Sequence, residues 1–157
     1  MADVSETLAG LQTFFADHLR RYLANGNDGH VIDTSPYGGS KETTTLLLKT
    51  IGRRSGRNLI TPLIYDRIGT EYAIVASKAG ADEHPAWYLN LTARPDVNFQ
   101  VAEERFTGLW RLAEGAERVS AWAHMTAYYP TYASYQSLTN REIPIVLLRA
   151  ERTIEQF

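Results

Sequence analysis

The chain has no cysteine, which excludes disulfides and thiolate chemistry together. It has no marked excess of either charge. A net charge of −2 over 157 residues argues against a nucleic-acid binder, which needs a broad basic surface. No apolar run approaches the ~18–20 residues that span a bilayer. Residues 1–30 lack a basic segment followed by an apolar one, so no secretory signal is expected and a cytoplasmic protein is. The histidines (His18, His30, His84, His124) are scattered, with no HExxH or paired spacing, so no metal site is expected. A GxGxxG loop and a nucleophile elbow are missing too. Gly38-Gly39-Ser40-Lys41 lacks the earlier glycine that a Walker-type phosphate loop requires.

Aromatic residues, by contrast, are plentiful: nine Tyr, five Phe and three Trp. Without a basic surface, they suit either a pocket for a flat organic molecule or simply a well-packed core. Local charge is plentiful in one place. Between Thr43 and Tyr65 the chain carries Lys49, Arg53, Arg54 and Arg57 and no acid. Three of these cations sit in Gly52-Arg53-Arg54-Ser55-Gly56-Arg57, a glycine-bracketed turn between two apolar runs. Glycines allow a tight turn, and guanidinium forks match phosphate and carboxylate. The turn is either a solvated hairpin tip or an anion site.

Leu8, Leu11, Phe15, Leu19 and Tyr22 recur at helical spacing, with Ser5 as a candidate cap and Asn25-Gly26-Asn27-Asp28-Gly29 as a stop. Such a helix either covers the core or docks on a membrane or partner. A loop over residues 30–41 follows. Then the period changes to that of strands: Thr43–Thr50, Leu59–Tyr65, Tyr72–Ala76, a run alternating through Val97, Phe99 and Val101, Phe106–Leu112 and Ile143–Leu148. Helices are expected at Pro85–Thr92 and Glu117–Tyr128, the second broken by Pro130. Six short strands with helices inserted late predict a small closed or nearly closed barrel, mainly β with α. A helical arm over 1–30 and one domain over 31–157 complete the division.

Two further segments support the anion reading. Ala76-Ser77-Lys78-Ala79-Gly80-Ala81 is a strand end running into a small-residue loop with a hydroxyl, an ammonium and open backbone N–H groups. His84-Pro85-Ala86-Trp87-Tyr88-Leu89-Asn90-Leu91 then opens a helix whose N-terminus favours negative charge. His84 could cap that helix or lie near a bound ring. Tyr129, Tyr132 and Tyr135, at i, i+3 and i+6, share roughly one face of a helical stretch. They form either aromatic core or a pocket wall.

These segments, in this order, together with Thr61-Pro62-Leu63, Arg94-Pro95 and Arg141-Glu142-Ile143-Pro144-Ile145-Val146, resemble the deazaflavin (coenzyme F420)-dependent nitroreductase and quinone reductase family of actinobacteria. The resemblance covers roughly residues 43 to 149. It implies a split β-barrel of the flavin-reductase type and hydride transfer from reduced F420 to a quinone-like or nitroaromatic acceptor. It also implies roles. The loop Arg53, Arg54, Ser55, Gly56, Arg57 and Asn58, with Lys78, would hold a polyanionic tail and its phosphate. Pro62, Ile64, Ala76 and Ser77 would line the ring, Ala79, Gly80 and Ala81 would offer backbone, and Pro85, Ala86 and Trp87 would close round it. Ser77, Tyr129, Tyr132 and Tyr135 would face the acceptor. One member of that family has a tyrosine after the Pro-Leu pair, where this chain has Ile64 with Tyr65 next door. An FMN-dependent barrel and a non-catalytic deazaflavin carrier are the alternatives. An apolar quinone would also suit an arm that touches membrane.

Overall fold

The structure is a computed structural model. It describes the backbone of residues 4–157 and the side chains of these except residues 4–9 and 11. Leu8 and Leu11 of the apolar stripe therefore lie outside the described side chains. Helix α1 (Val4–Ala24) already contains Ser5, so the helix does not start on it as a cap. Asn25 instead caps the short α2 (Gly26–His30), its Oδ1 accepting from the Asp28 N–H at 3.1 Å.

Eight strands follow, all paired antiparallel: β1 (Val31–Ile32), β2 (Thr43–Ile51), β3 (Asn58–Ile64), β4 (Asp66–Ile68), β5 (Glu71–Val75), β6 (Asp96–Val101), β7 (Glu104–Leu112) and β8 (Ile145–Ile154). Helix α3 (Ala86–Thr92) lies between β5 and β6, and α4 (Gly115–Tyr128) and α5 (Thr131–Gln136) lie between β7 and β8. The six expected strands are present, and two more were missed. With two and three residues, β1 and β4 are too short to display a period. The expected loop at 30–41 holds β1 and a 3₁₀ turn at Ser35–Tyr37. β8 runs on past Leu148 because β7 pairs with it as far as Ile154.

The pairing path runs β2-β6-β7-β8-β5-β4, with β3 on the other edge of β2. The two terminal strands of that path, β3 and β4, are separated by Tyr65 alone. One residue can join them only if the sheet curls back on itself, which makes a split barrel. Alternation then gives two apolar clusters. Leu46, Leu48, Ile74, Phe99, Val146 and Leu148 pack with Trp87 and Leu91 of α3. Ala73, Val75, Ile145 and Leu147 face the other way, toward Met125 of α4 and the tyrosines of α5. Strands buried on both faces read as unbroken apolar runs, as in Leu46-Leu47-Leu48.

Helix α1 docks through polar groups. The fully buried Tyr22 donates its hydroxyl to the Thr45 carbonyl at 2.9 Å and accepts from the Ala102 N–H at 2.8 Å. His18 is 2% exposed, with Nε2 2.7 Å from the Gly29 carbonyl. A carbonyl only accepts, so Nε2 carries the proton and Nδ1, buried without a partner, is bare. Burial, with a smaller push from Arg21, holds the His18 pKa below its ordinary value. Stability from this group is complete above the unfolded pKa of about 6.5. It is lost as pH falls below that value, because the unfolded chain takes up a proton that the folded chain refuses. Urea denaturation should show this fall. His30 and His84 are shifted the same way, chiefly by burial, so His18→Gln should remove only part of the pH dependence. An unchanged profile in that variant would refute the assignment.

Among the described residues, no helix is long and apolar enough to cross a membrane.

Candidate active-site cleft

A cleft of about 480 Å³ opens where β3, the end of β5, the Ser77–Ala79 loop, α3, α5 and α1 meet. Its floor is apolar: Ile60, Pro62, Leu63 and Ile64 from β3, and Val75 from β5. Pro62 sits in β3 opposite Leu47. Pro85 takes the extended N-cap position of α3 and contributes no side-chain hydrogen bond, and His84 does not cap the helix either. Pro85, Ala86 and Trp87 then form one side wall, with Trp87 nearly buried.

The loop after β5 supplies the polar end. Ser77 is right-handed (φ −80°, ψ −36°), and Lys78, Ala79 and Gly80 are all left-handed (φ 45°, 54° and 83°). A right-handed residue followed by a left-handed one turns successive N–H groups to one side, a concavity that suits an anion. Left-handed backbone at Lys78 and Ala79 costs of order 1–3 kcal/mol each, so the surroundings must enforce it. At Gly80 a side chain would meet the Tyr135 carbonyl at 2.7 Å. Arg141 is the enforcing group. Its Nε donates to Ala81 O (2.8 Å), Nη2 to Ser77 O (2.8 Å), and Nη1 to Ala76 O (3.2 Å) and His84 Nδ1 (3.2 Å). Burial and then Arg141 depress the His84 pKa, consistent with a neutral acceptor. The Lys78 ammonium lies 3.7 Å from the exposed Glu83.

Three tyrosines make the opposite wall. Tyr129, Tyr132 and Tyr135 are all nearly buried and all line the cleft. Burial raises each phenol pKa, well above the ordinary value for Tyr132, so all three are neutral donors. Their hydroxyls differ. The Tyr135 hydroxyl interacts with that of Tyr129, which itself donates to the Tyr37 carbonyl at 3.3 Å. Thr131 ties the same carbonyl at 2.5 Å. The Tyr132 hydroxyl has no hydrogen-bond partner among the described residues, and neither has the Ser77 hydroxyl. The wall thus offers two uncommitted donors.

Gln12, Phe15, Ala16 and Leu19 of α1 close the cleft. Their i, i+3, i+4, i+7 spacing is a helix face, and Phe15 and Leu19 stand on the apolar stripe visible in the sequence. That stripe could have announced the wall, but it does not say what a helix covers.

The expected residues therefore fall into three groups. Pro62, Ile64, Ser77, Lys78, Ala79, Pro85, Ala86, Trp87 and the three tyrosines share the cleft. Ala76, Gly80 and Ala81 do not line it; they shape its loop through backbone. Arg53, Arg54, Ser55, Gly56, Arg57 and Asn58 are exposed and lie outside the lining. The turn closes on itself by Gly56 N–H to Gly52 O and Gly52 N–H to Arg57 O, each 2.8 Å. It is strapped to the helix that opens the cleft, for Asn90 Oδ1 accepts from the Arg53 N–H (3.1 Å) and Nη1 (2.9 Å). Arg54 and Arg57 pair with no acid among the described residues. No local signal in the sequence assigns Asn90 or Arg141 a role at this cleft.

Residues 24–150 match the family model described as F420H(2)-dependent quinone reductase. The F420H(2)-dependent quinone reductase Rv1261c of Mycobacterium tuberculosis is 37% identical over 127 residues, 79% of this chain and 80% of that protein. The solved structure of an F420-H2 dependent reductase (FDR-A) is 35% identical. It covers 76% of this chain and 98% of its own, with a TM-score of 0.62.

Proposed function

This chain belongs to the F420H(2)-dependent quinone reductase family, and we propose that the cleft between β3, α3, α5 and α1 is where that activity resides, with the residues in the roles that follow. The family works with reduced F420, which supplies a hydride to a quinone. The chain's part is to bind, orient, exclude water and deliver a proton. The observation that carries the placement is the meeting of an anion concavity and a tyrosine wall in one aromatic cleft.

The fit is chemical. Pro62, Ile64, Pro85 and Trp87 offer flat apolar faces to a planar ring. The Ser77–Ala79 N–H groups and the Lys78 ammonium suit a phosphate. Arg53, Arg54 and Arg57 suit carboxylates further along a tail, and the Asn90 strap fixes that turn relative to α3. Residues 31–157 act as the deazaflavin-binding unit, and the 1–30 arm completes the acceptor side through α1. Tyr132 or Ser77 hydrogen-bonds the acceptor oxygen as charge develops there, and Tyr129 and Tyr135 hold the wall in place. Nitroaromatics present similar oxygens and belong in the same acceptor panel. A quinone held in lipid would meet α1 first, and liposome flotation of the full chain tests that contact.

Fluorescence titration with the deazaflavin tests the cleft. Arg54→Ala/Arg57→Ala removes charge without cutting the Arg53 strap. It should weaken binding about five- to tenfold at low ionic strength and much less at high salt. Equal affinity at low salt would leave the turn a solvated tip. Adding menadione should speed oxidation of the bound reduced cofactor. No acceleration by any quinone or nitroaromatic would make the chain a carrier.

A further inference from the structure

We propose that His84 is a positioning residue: its neutral imidazole joins the anion loop to the side wall of the cleft, and protonation undoes the joint. This rests on the cleft assignment above and adds a pH-sensitive control to it.

Of the four acceptors that Arg141 meets, three are the carbonyls of Ala76, Ser77 and Ala81. The fourth, His84 Nδ1 at 3.2 Å, belongs to the segment that opens α3. A guanidinium only donates, so Nδ1 must be bare and the ring proton must sit on Nε2. The next residue, Pro85, lines the cleft, and its carbonyl accepts from the Tyr88 N–H at 3.0 Å. The imidazole also packs on the Tyr88 ring, with centroids 4.7 Å apart. One guanidinium thus ties the polar end of the cleft to the wall that carries Pro85, Ala86 and Trp87.

Protonation reverses this contact. Nδ1 becomes a donor facing a donor, and two cations stand where one stood. His84 is half-buried and can swing towards water, whereas Arg141 stays on its three carbonyls. No carboxylate bonds the ring among the described residues. Tyr88, from α3, is a neutral phenol whose pKa burial raises. On the ring's own loop, Glu83 is turned to solvent, 3.7 Å from Lys78. Asp82 accepts from Thr139 Oγ1 at 2.8 Å and acts by charge on Arg141. Burial, and then Arg141, holds the His84 pKa below its ordinary value of about 6.5. The joint is therefore intact at neutral pH and is lost as pH falls through that lowered value. Deazaflavin affinity should fall with it. Charge alone predicts the reverse, since an added imidazolium near an anion strengthens binding.

The first experiment uses the full chain without deazaflavin. Histidine ¹⁵N spectra give the His84 tautomer and its titration, and the amides of residues 77–81 and of Ala86 are followed from about pH 5 to about pH 8. An Nε2–H tautomer is expected, with the loop amides titrating in step with His84. In His84→Asn, whose Oδ1 keeps an acceptor in place of Nδ1, that titration should vanish. An Nδ1–H tautomer, or loop shifts that persist unchanged in His84→Asn, would overturn the proposal. The second experiment measures deazaflavin affinity of the parent, His84→Asn and His84→Phe over the same range. Ratios between the proteins cancel any titration of the ligand itself. Near pH 7.5, His84→Asn should bind within about twofold of the parent. His84→Phe keeps a ring on Tyr88 but offers no acceptor, so it should bind about three- to tenfold more weakly. Towards pH 5 the parent should lose about three- to tenfold relative to His84→Asn and converge on His84→Phe. A parent that instead gains on His84→Asn as pH falls would mean that charge alone operates, and the joint would be refuted. If none of the three binds deazaflavin, the cleft assignment fails, and the ligand-free titration still decides whether His84 joins the loop to α3.

Discussion

Replacing Arg141 by alanine should lower deazaflavin affinity by about 30- to 300-fold, more than any change in the basic turn. Among the described residues, the guanidinium is the only side chain holding both flanks of the left-handed Lys78–Gly80 stretch, through the carbonyls of Ala76, Ser77 and Ala81. Hydrogen bonds from a charged donor contribute about 1.5–3 kcal/mol each, though bonds from one group are not additive. Against them stands a backbone cost of order 1–3 kcal/mol at each of two non-glycine left-handed residues. Without Arg141 that strain relaxes, and the αR–αL concavity disperses. A loss of ~2–3.5 kcal/mol in binding follows, which is the fold-change stated. Arg141→Lys keeps the charge but reaches one carbonyl at a time, so it should recover only part of the affinity. Melting temperature will fall in both variants. The decisive reading is affinity measured well below the melting point. If the folded Arg141→Ala protein binds deazaflavin as the parent does, Arg141 merely stabilises the fold.

Arg141 also shows what sequence could not convey. The strand runs, the Pro85 helix start and the tyrosine spacing all rest on local chemistry, and each stands in the structure within a few residues of its expected position. The cleft residues Pro62, Ser77, Lys78, Trp87 and Tyr132 share one lining, and each belongs to a segment with a strong local signal. Arg141 and Asn90 act across 60 to 65 and 37 residues of sequence. No periodicity records that a guanidinium will meet three distant carbonyls. The α1 wall was half legible. Phe15 and Leu19 mark an apolar face, but Gln12 and Ala16 share it without marking it, and the polar docking through His18 and Tyr22 looks in sequence like a flaw in the stripe. The basic turn is legible in the sequence as charge, and its place relative to the cleft is not. It lies beside the cleft rather than in its lining, because Gly52–Arg57 folds back on itself and reaches α3 through Arg53.

Replacing Tyr132 by phenylalanine should slow quinone reduction about a hundredfold while leaving deazaflavin affinity within about twofold. Of the three wall tyrosines, Tyr129 donates to the Tyr37 carbonyl and Tyr135 interacts with Tyr129, whereas the Tyr132 hydroxyl has no hydrogen-bond partner among the described residues. Burial, with Tyr129, Tyr135 and Tyr128 adding to it, lifts the Tyr132 pKa well above the ordinary phenol value. The group therefore stays protonated and can donate to an acceptor oxygen at any working pH. The rate should accordingly show no break near pH 10, where a free tyrosine ionises. Folding stability should be unchanged or slightly raised, since no protein hydrogen bond is lost. Tyr135→Phe should behave oppositely, costing about 1 kcal/mol of stability and less of the rate, because its hydroxyl braces Tyr129. The two variants form the test. If Tyr135→Phe slows the reaction as much as Tyr132→Phe, the wall acts by shape alone. If Tyr132→Phe weakens deazaflavin binding in step with rate, its hydroxyl serves the ring and not the acceptor. A loss confined to Tyr132→Phe and to turnover would make Ser77, the other free hydroxyl, at most a secondary donor, since it remains in place when the rate is lost.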